Sequence, residues 1–364
     1  ENAFIQVKAM GKRKKDGGRK LLEFSTKMTK EEQYKLAKRC LNEVIKIGNT
    51  YYSQKAQKQK LEIELKLIDD GHNNDIVYIN DLIKAFDDYI SITKKEEEMF
   101  WAELHKARIF AFKLHQFETA EKLLKDLELK SVYKKEYQIE SKLSLGDISL
   151  FSGDPWTAIL LFSQIEKGYD NTPKADLAKY KTALVSFYLG DFEWSQAQLD
   201  AIKGSTSKLI ANDAIRLSSF IQNNYGLDSI ETPLEWFAQA KLFEYQENHK
   251  KCMLYLDSLE QFYSGHTLID DVYFLRSELY KKEKNFEEEV KFLTKVVDEY
   301  PYDLLADKAI YRLAQIQELH YKDLDKAYKL YEKIILDYSD SLFVIQSRKK
   351  YRKLKLNLSK DDRI

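Results

Sequence analysis

Proline and glycine are scarce in this chain of 364 residues. It has four prolines and twelve glycines, where average usage of the two together is about 12%. Strand-rich folds turn often and lean on these residues at their turns. The shortage points to helices joined by short loops. Cysteine is scarcer still. Cys40 and Cys252 lie far apart in helically patterned stretches, which argues against a disulfide framework and suits buried small side chains. No apolar run reaches the roughly 18 residues a membrane span needs. Charge of one sign is also missing, since Lys+Arg and Asp+Glu each number 59. That balance argues against nucleic acid as a partner.

The signatures of chemistry are absent too. The six histidines, His72, His105, His115, His249, His266 and His320, form neither an H-E-x-x-H pair nor a metal spacing with cysteine. There is no G-x-x-x-x-G-K-[ST] phosphate loop and no G-x-S-x-G elbow. The turn cluster 69–74 has acidic and amide side chains but lacks the later glutamate of a calcium loop. Carboxylate runs such as Glu96–Glu98 and Glu287–Glu289 read as solvated faces or helix-start charges. No catalytic, cofactor-binding or metal-ligating residue is assigned, and the chain is not read as an enzyme.

What is present is a core under a charged surface: 44% hydrophobic and 32% charged residues. Residues 1–26 cluster Lys12, Arg13, Lys14, Lys15, Arg19 and Lys20 around three glycines. They read as a basic flexible linker, with contact to anionic lipid or nucleic acid as the sharper alternative. Thr29-x-x-Glu32 has capping-box form, so a helical group of about three helices is expected over 27–95. Helical spacing then continues, with an added helix expected near 207–223 and a C-terminal capping helix and tail over 341–364. On that cap Leu342, Ile345, Tyr351 and Leu354 form the apolar side, and Arg348, Lys349, Lys350, Arg352 and Lys353 face solvent.

Between 96 and 340 one unit recurs. Ala120, Ala158, Ser195, Cys252, Glu289 and Ala327 are 38, 37, 57, 37 and 38 residues apart. Four residues after each stands Leu124, Phe162, Leu199, Leu256, Leu293 or Tyr331, and three further on Leu127, Ile165, Ile202, Leu259, Val296 or Ile334. Twelve residues before each knob stands Arg108, Gly146, Ala183, Ala240, Ser277 or, with one extra residue near 321–323, Ala314. Arg108 and Glu289 break the small-residue pattern.

These offsets resemble the tetratricopeptide repeat (TPR), a helix-turn-helix unit of about 34 residues. The resemblance implies an all-α, right-handed TPR-like solenoid that follows an N-terminal helical group. It also implies that the first helix of each unit lines a concave face. On that face Tyr180, Leu184, Phe187, Phe237, Phe274 and Tyr311 would form a partner-binding groove, an aromatic ladder for a protein segment. Packing of the same rings between repeats is the competing expectation. The lysine–asparagine clamp of chaperone-tail binders is not matched by Tyr180 with Leu184 or by Phe237 with Lys241.

The stretches Tyr300-Pro301 and Asp337-Tyr338-Ser339-Asp340-Ser341 are similar to unit ends in bacterial envelope TPR proteins, such as BamD-like lipoproteins and the Tol-associated coordinator. The function implied is a scaffold or adaptor for a protein partner, in the periplasm or at the outer-membrane periphery, with a peripheral membrane association open to it. The alternative is a cytoplasmic regulator that binds a peptide signal or nucleic acid.

Overall fold

The computed structural model describes residues 2–14, 16, 18–48, 51–71, 75–130, 134–169, 172–204, 207–225 and 230–361. Among them every regular element is helical and no strand occurs. The chain divides into two compact units, Glu1–Gly168 and Tyr169–Ile364. This division falls inside the 96–340 array rather than at residue 95, because helical periodicity marks hairpins and not the units they group into.

The first unit contains α1 (Asn2–Lys14), α2 (Arg19–Lys30), α3 (Tyr34–Ile45), α4 (Tyr51–Asp69), α5 (Ile76–Ile92), α6 (Glu96–Phe112), α7 (Phe117–Lys130), α8 (Lys135–Ser152) and α9 (Pro155–Gly168). The hairpin α8/α9 shows the local logic. A Cβ on Gly146 would sit 2.7 Å from Cζ and 2.9 Å from Cδ1 of Phe162. Only glycine lets the helices cross so closely. Gly153 then takes the left-handed conformation at φ +98°, and the Asp154 N–H donates to the Ser149 carbonyl at 2.8 Å. The Asp154 carboxylate accepts from the Thr157 N–H at 3.0 Å and starts α9. Ala158, Phe162 and Ile165 are fully buried.

The same device occurs in a place where no repeat is expected. In α2/α3, Ser25, Ala37, Leu41 and Val44 are fully buried at the offsets of Gly146, Ala158, Phe162 and Ile165. Glu32 takes the left-handed turn position at φ +59°, and the Gln33 N–H donates to the Met28 carbonyl at 2.9 Å. The flexible linker expected over 1–26 is thereby corrected. Residues 2–14 and 19–30 are helical, with Phe4, Leu21 and Leu22 buried and the Arg39 guanidinium 4.5 Å from the Phe4 ring centroid. The side chains of Lys12, Arg13 and Lys14, and the whole of Lys15, lie outside the described residues. Thr29 is not a capping residue. It lies in the last turn of α2, where its hydroxyl donates to the Ser25 carbonyl at 2.9 Å.

Hairpin α6/α7 corrects a second reading. Its turn closes with the Gln116 N–H on the Phe110 carbonyl at 2.8 Å, six residues back where α8/α9 closes five back. The extra residue moves the crossing to Ala107, which is fully buried, while Arg108 turns outward toward Asp147 at 3.7 Å. His105 packs edge-on to Trp101, with centroids 5.0 Å apart. Burial, with help from Arg108 and Lys58, pushes its imidazole down to about 4.

The second unit contains α10 (Pro173–Tyr188), α11 (Phe192–Ile202), α12 (Lys208–Asn224), α13 (Thr232–Tyr245), α14 (His249–Phe262), α15 (Ile269–Lys282), α16 (Phe286–Glu299) and α17 (Ala306–Ile316). A π-helical turn (Gln317–Tyr321), α18 (Leu324–Asp337) and α19 (Val344–Asp361) follow. The pairs α10/α11, α13/α14, α15/α16 and α17/α18 are TPR-like hairpins, so the unit is a TPR-like α-solenoid. In each, an Asp or Asn caps the second helix: Asp191, Asn248, Asn285 and Asp323 accept from the N–H three residues on. Ser195, Cys252, Glu289 and Ala327 are all buried, as are the apolar residues four and seven positions later. The one extra residue of α17/α18 is absorbed by the π-helical turn, which ends with the Asp323 N–H on the Gln317 carbonyl at 2.9 Å. On α19 the buried side is Val344, Ser347 and Leu354. Leu342 and Ile345 are exposed, contrary to their expected place on its apolar face.

Candidate functional site

The first helices of the second unit's hairpins, α10, α13, α15 and α17, carry the six residues expected to line a groove. The structure puts four of their rings in the packing. Phe187 is 3% exposed, Phe237 5%, Phe274 8% and Tyr311 9%. Tyr180 and Leu184 are half-buried.

The cause is specific to each ring. Helix α12 sends Phe220 between two of them: its centroid lies 6.0 Å from Phe187 and 5.4 Å from Phe237. Three rings thus join α10, α12 and α13, the kind of ring pairing that adds to area burial. Lys308 of α17 places its Nζ 4.4 Å from the Phe274 centroid, covering that ring with a cation. Tyr311 stacks on Phe343 at 4.7 Å, and its hydroxyl donates to Gln346 Oε1 at 2.8 Å. Such rings hold helices together. They form the floor of the face and not its open surface.

Above that floor lies a row of charges. Glu244 of α13 accepts from Lys241 at 3.0 Å and from Lys282 of α15 at 2.6 Å. Burial works to raise the Glu244 carboxyl, but the two lysines outweigh it and hold it below the usual range. At the other end of α15 Asp270 is 7% exposed, and burial raises it to about 6 although its carboxylate accepts a backbone N–H from Asp271.

Asp271 keeps some contact with water. Burial, then the neighbouring Asp270, push its carboxyl up to about 8, with Lys241 opposing. No hydrogen-bond donor reaches the Asp271 side chain among the described residues. Tyr180 faces Asp213 and Arg216 of α12, and burial raises its phenol first of all. The face therefore combines an apolar edge at Tyr180 and Leu184 with a linked lysine–glutamate–lysine bridge and one carboxyl with no hydrogen bond from the described residues.

Sequence reasoning placed Lys241 on the inward side, where it does not match the chaperone clamp, and missed Glu244, Asp271 and Lys282. Their signal was available: each occupies a repeat-equivalent position on a first helix, beside the positions read for rings. Phe220 carried no such signal, because α12 belongs to no repeat. Among the described residues no group of His, Cys, Asp and Glu is placed to hold a metal ion, and no helix is long and apolar enough to cross a membrane.

No protein-family model and no curated protein matches the sequence. Among solved structures the chain is similar to a tetratricopeptide repeat protein from Parabacteroides merdae. The identity is 11%, over 81% of this chain and 97% of that one, with a TM-score of 0.41. It is also similar to the TPR domain of P58(IPK), at 16% identity over 99% and 93% of the two chains with a TM-score of 0.28. Yeast Tom70 is similar at 11% identity, over 88% and 76%, with a TM-score of 0.27. At these identities the likeness is one of fold.

Proposed function

We propose that the second unit is a non-catalytic scaffold that takes a protein segment along the face of α10, α13, α15 and α17. The observation that carries this reading is the row of accessible groups above a floor of buried rings. Tyr180, Leu184, Lys241, Glu244 and Asp271 are half-buried, and Lys282 reaches across from the next hairpin. A face built only for packing would bury such groups or pair them completely, and Asp271 has neither outcome. A peptide backbone amide would supply the hydrogen bonds it lacks, accepting from its O–H and donating to its carbonyl oxygen, and Tyr180 with Leu184 would supply apolar contact. Phe187, Phe237, Phe274 and Tyr311 contribute by fixing the helices beneath.

The cell envelope is the setting we assign to this scaffold. Its support is the resemblance carried by Tyr300-Pro301 and residues 337–341, and fractionation of the native protein between periplasm and cytoplasm tests it directly. The docking face has its own test. A photo-crosslinking residue is placed at Leu184, at Gln315, the half-buried α17 residue in the position equivalent to Leu184, and at Leu254, which is exposed on α14. A single partner captured at both Leu184 and Gln315, and not at Leu254, is the expected result. Capture confined to Leu254 would remove this face as the docking site.

A further inference from the structure

Helix α19 has two unlike sides. Inward, Val344, Ser347 and Leu354 are buried, the Tyr351 hydroxyl bonds Tyr328 at 2.5 Å and Glu332 at 3.0 Å, and Lys350 holds Glu318 at 3.0 Å. Outward lie Ile345, Arg348, Lys349, Arg352 and Lys353, all exposed. Residues 345, 348, 349 and 352 follow the i, i+3, i+4, i+7 spacing of one helical stripe. Leu342 stands just before the helix. It is 83% exposed and Ile345 68%.

The four outward cations have no carboxylate partner among the described residues, and no carboxylate occurs in the sequence between Ser341 and Lys360. Elsewhere in this unit, exposed lysines such as Lys291 and Lys326 find an acid three residues away. Like charges left together on one helix repel, so this stripe is complementary to an anionic surface. Two features decide which surface. The stripe begins in aliphatic side chains that have no role on a phosphate backbone. Its one aromatic ring, Tyr351, is turned inward and engaged, so nothing outward can stack on a base. An exposed helix side with cations over an aliphatic head matches the interface of a bilayer, where cations meet headgroups and apolar side chains enter the acyl boundary. The adjoining loop adds to that head. The Tyr338 hydroxyl donates to the Pro301 carbonyl at 2.7 Å, which ties in the segment of exposed Tyr302 and Leu304. Asp303 and Asp340 flank this tip, so the headgroup contact belongs to the helix rather than to the loops.

We propose that the outward side of α19, headed by Leu342 and Ile345, is a docking surface for an anionic lipid bilayer. The full chain is sedimented with vesicles of phosphatidylcholine alone and of phosphatidylcholine mixed with phosphatidylglycerol. Binding to the mixed vesicles only, weakened by added salt, is expected. R348Q/K349Q/R352Q/K353Q should weaken it by more than about a hundredfold, at about fivefold per cation. L342S/I345S should weaken it by about tenfold or more and leave its salt dependence in place. All six positions are exposed, so both variants should melt as the parent does. Three results would each overturn the proposal: no association of the parent with mixed vesicles at low salt, full association of the folded quadruple variant, or binding to a single-stranded oligonucleotide and not to vesicles.

Discussion

Hairpins α8/α9 and α15/α16 have the same turn, the same cap and the same crossing positions, yet different chemistry holds them. In α8/α9 the crossing is glycine against phenylalanine over an alanine, and no charged side chain is buried. In α15/α16 the equivalent positions are Ser277 and Glu289, and Asp270, Arg276 and Glu289 are all buried. Arg276 bonds Asp257 at 2.5 Å and Glu260 at 3.3 Å on α14. Glu289, 1% exposed, takes both Nε and Nη2 of Arg312 on α17, at 2.5 and 3.1 Å. One hairpin keeps its ion pairs, such as Asp147 with Arg108, at the surface and packs its crossing by shape, while the other buries ion pairs to the helices on either side. A repeat position is thus a location whose occupant can change, provided its neighbour changes with it.

The sharpest way to break that contrast is Arg312→Ala, which strands Glu289 as a buried charge. We expect a loss of about 3–5 kcal/mol in chemical denaturation. Glu289→Ala with Arg312→Leu should recover most of it, since an apolar pair can replace a buried ionic one. If the double variant is as weak as the single, the ion pair is not the controlling interaction. On the other side of the comparison, Gly146→Ala drives a methyl into the buried Phe162 ring. The cost should be roughly 1–3 kcal/mol, and an unchanged melt would refute the crossing geometry.

A pH series separates the two hairpins without disturbing either crossing. The Asp271 carboxyl is raised from the ordinary value 3.8 to about 8 in the folded protein. Its contribution to stability is therefore full below about pH 4 and is lost as pH rises through 8. Asp271→Asn should leave the melting temperature unchanged near pH 4 and raise it at pH 8 to 9. A parent and variant that stay parallel across this range would contradict it. The smallest effect concerns the turn. Gly153 and Lys284 share the left-handed position, Lys284 at φ +59°. Lys284→Gly should gain about 1 kcal/mol or less, the strain relieved being partly offset by chain entropy.

The hairpins themselves were legible because their knobs and the residues four and seven later are local, apolar and evenly spaced. Ala158, Phe162 and Ile165 announce a packed helix wherever they fall. Hairpin α2/α3 follows the same rule, but its first helix is dense in exposed cations such as Arg19, Lys27 and Lys30. The cations obscured Leu21, Leu22 and Ser25. Glu289 looked like a defect because its partner lies 23 residues on, and no offset within one hairpin points to Arg312. The candidate face was legible in place and not in composition. Offsets identified Phe187 and Phe237 as inward-pointing, but only the tertiary position of Phe220 makes them floor. Asp271 acquires its raised proton affinity from burial and then from Asp270, and that burial is a property of the assembled hairpins that a single sequence does not display.

The wide turns at Gln116 and Asp323 carry a genetic consequence. A residue inserted within an α-helix rotates everything after it by about 100°, which would carry an inward knob to the outside. Here the extra residue is taken up where the helix is already ending, by a hydrogen bond that reaches back six residues instead of five. Ala120 and Ala327 still arrive buried. A codon can therefore be gained or lost at these turns without putting the next helix out of phase.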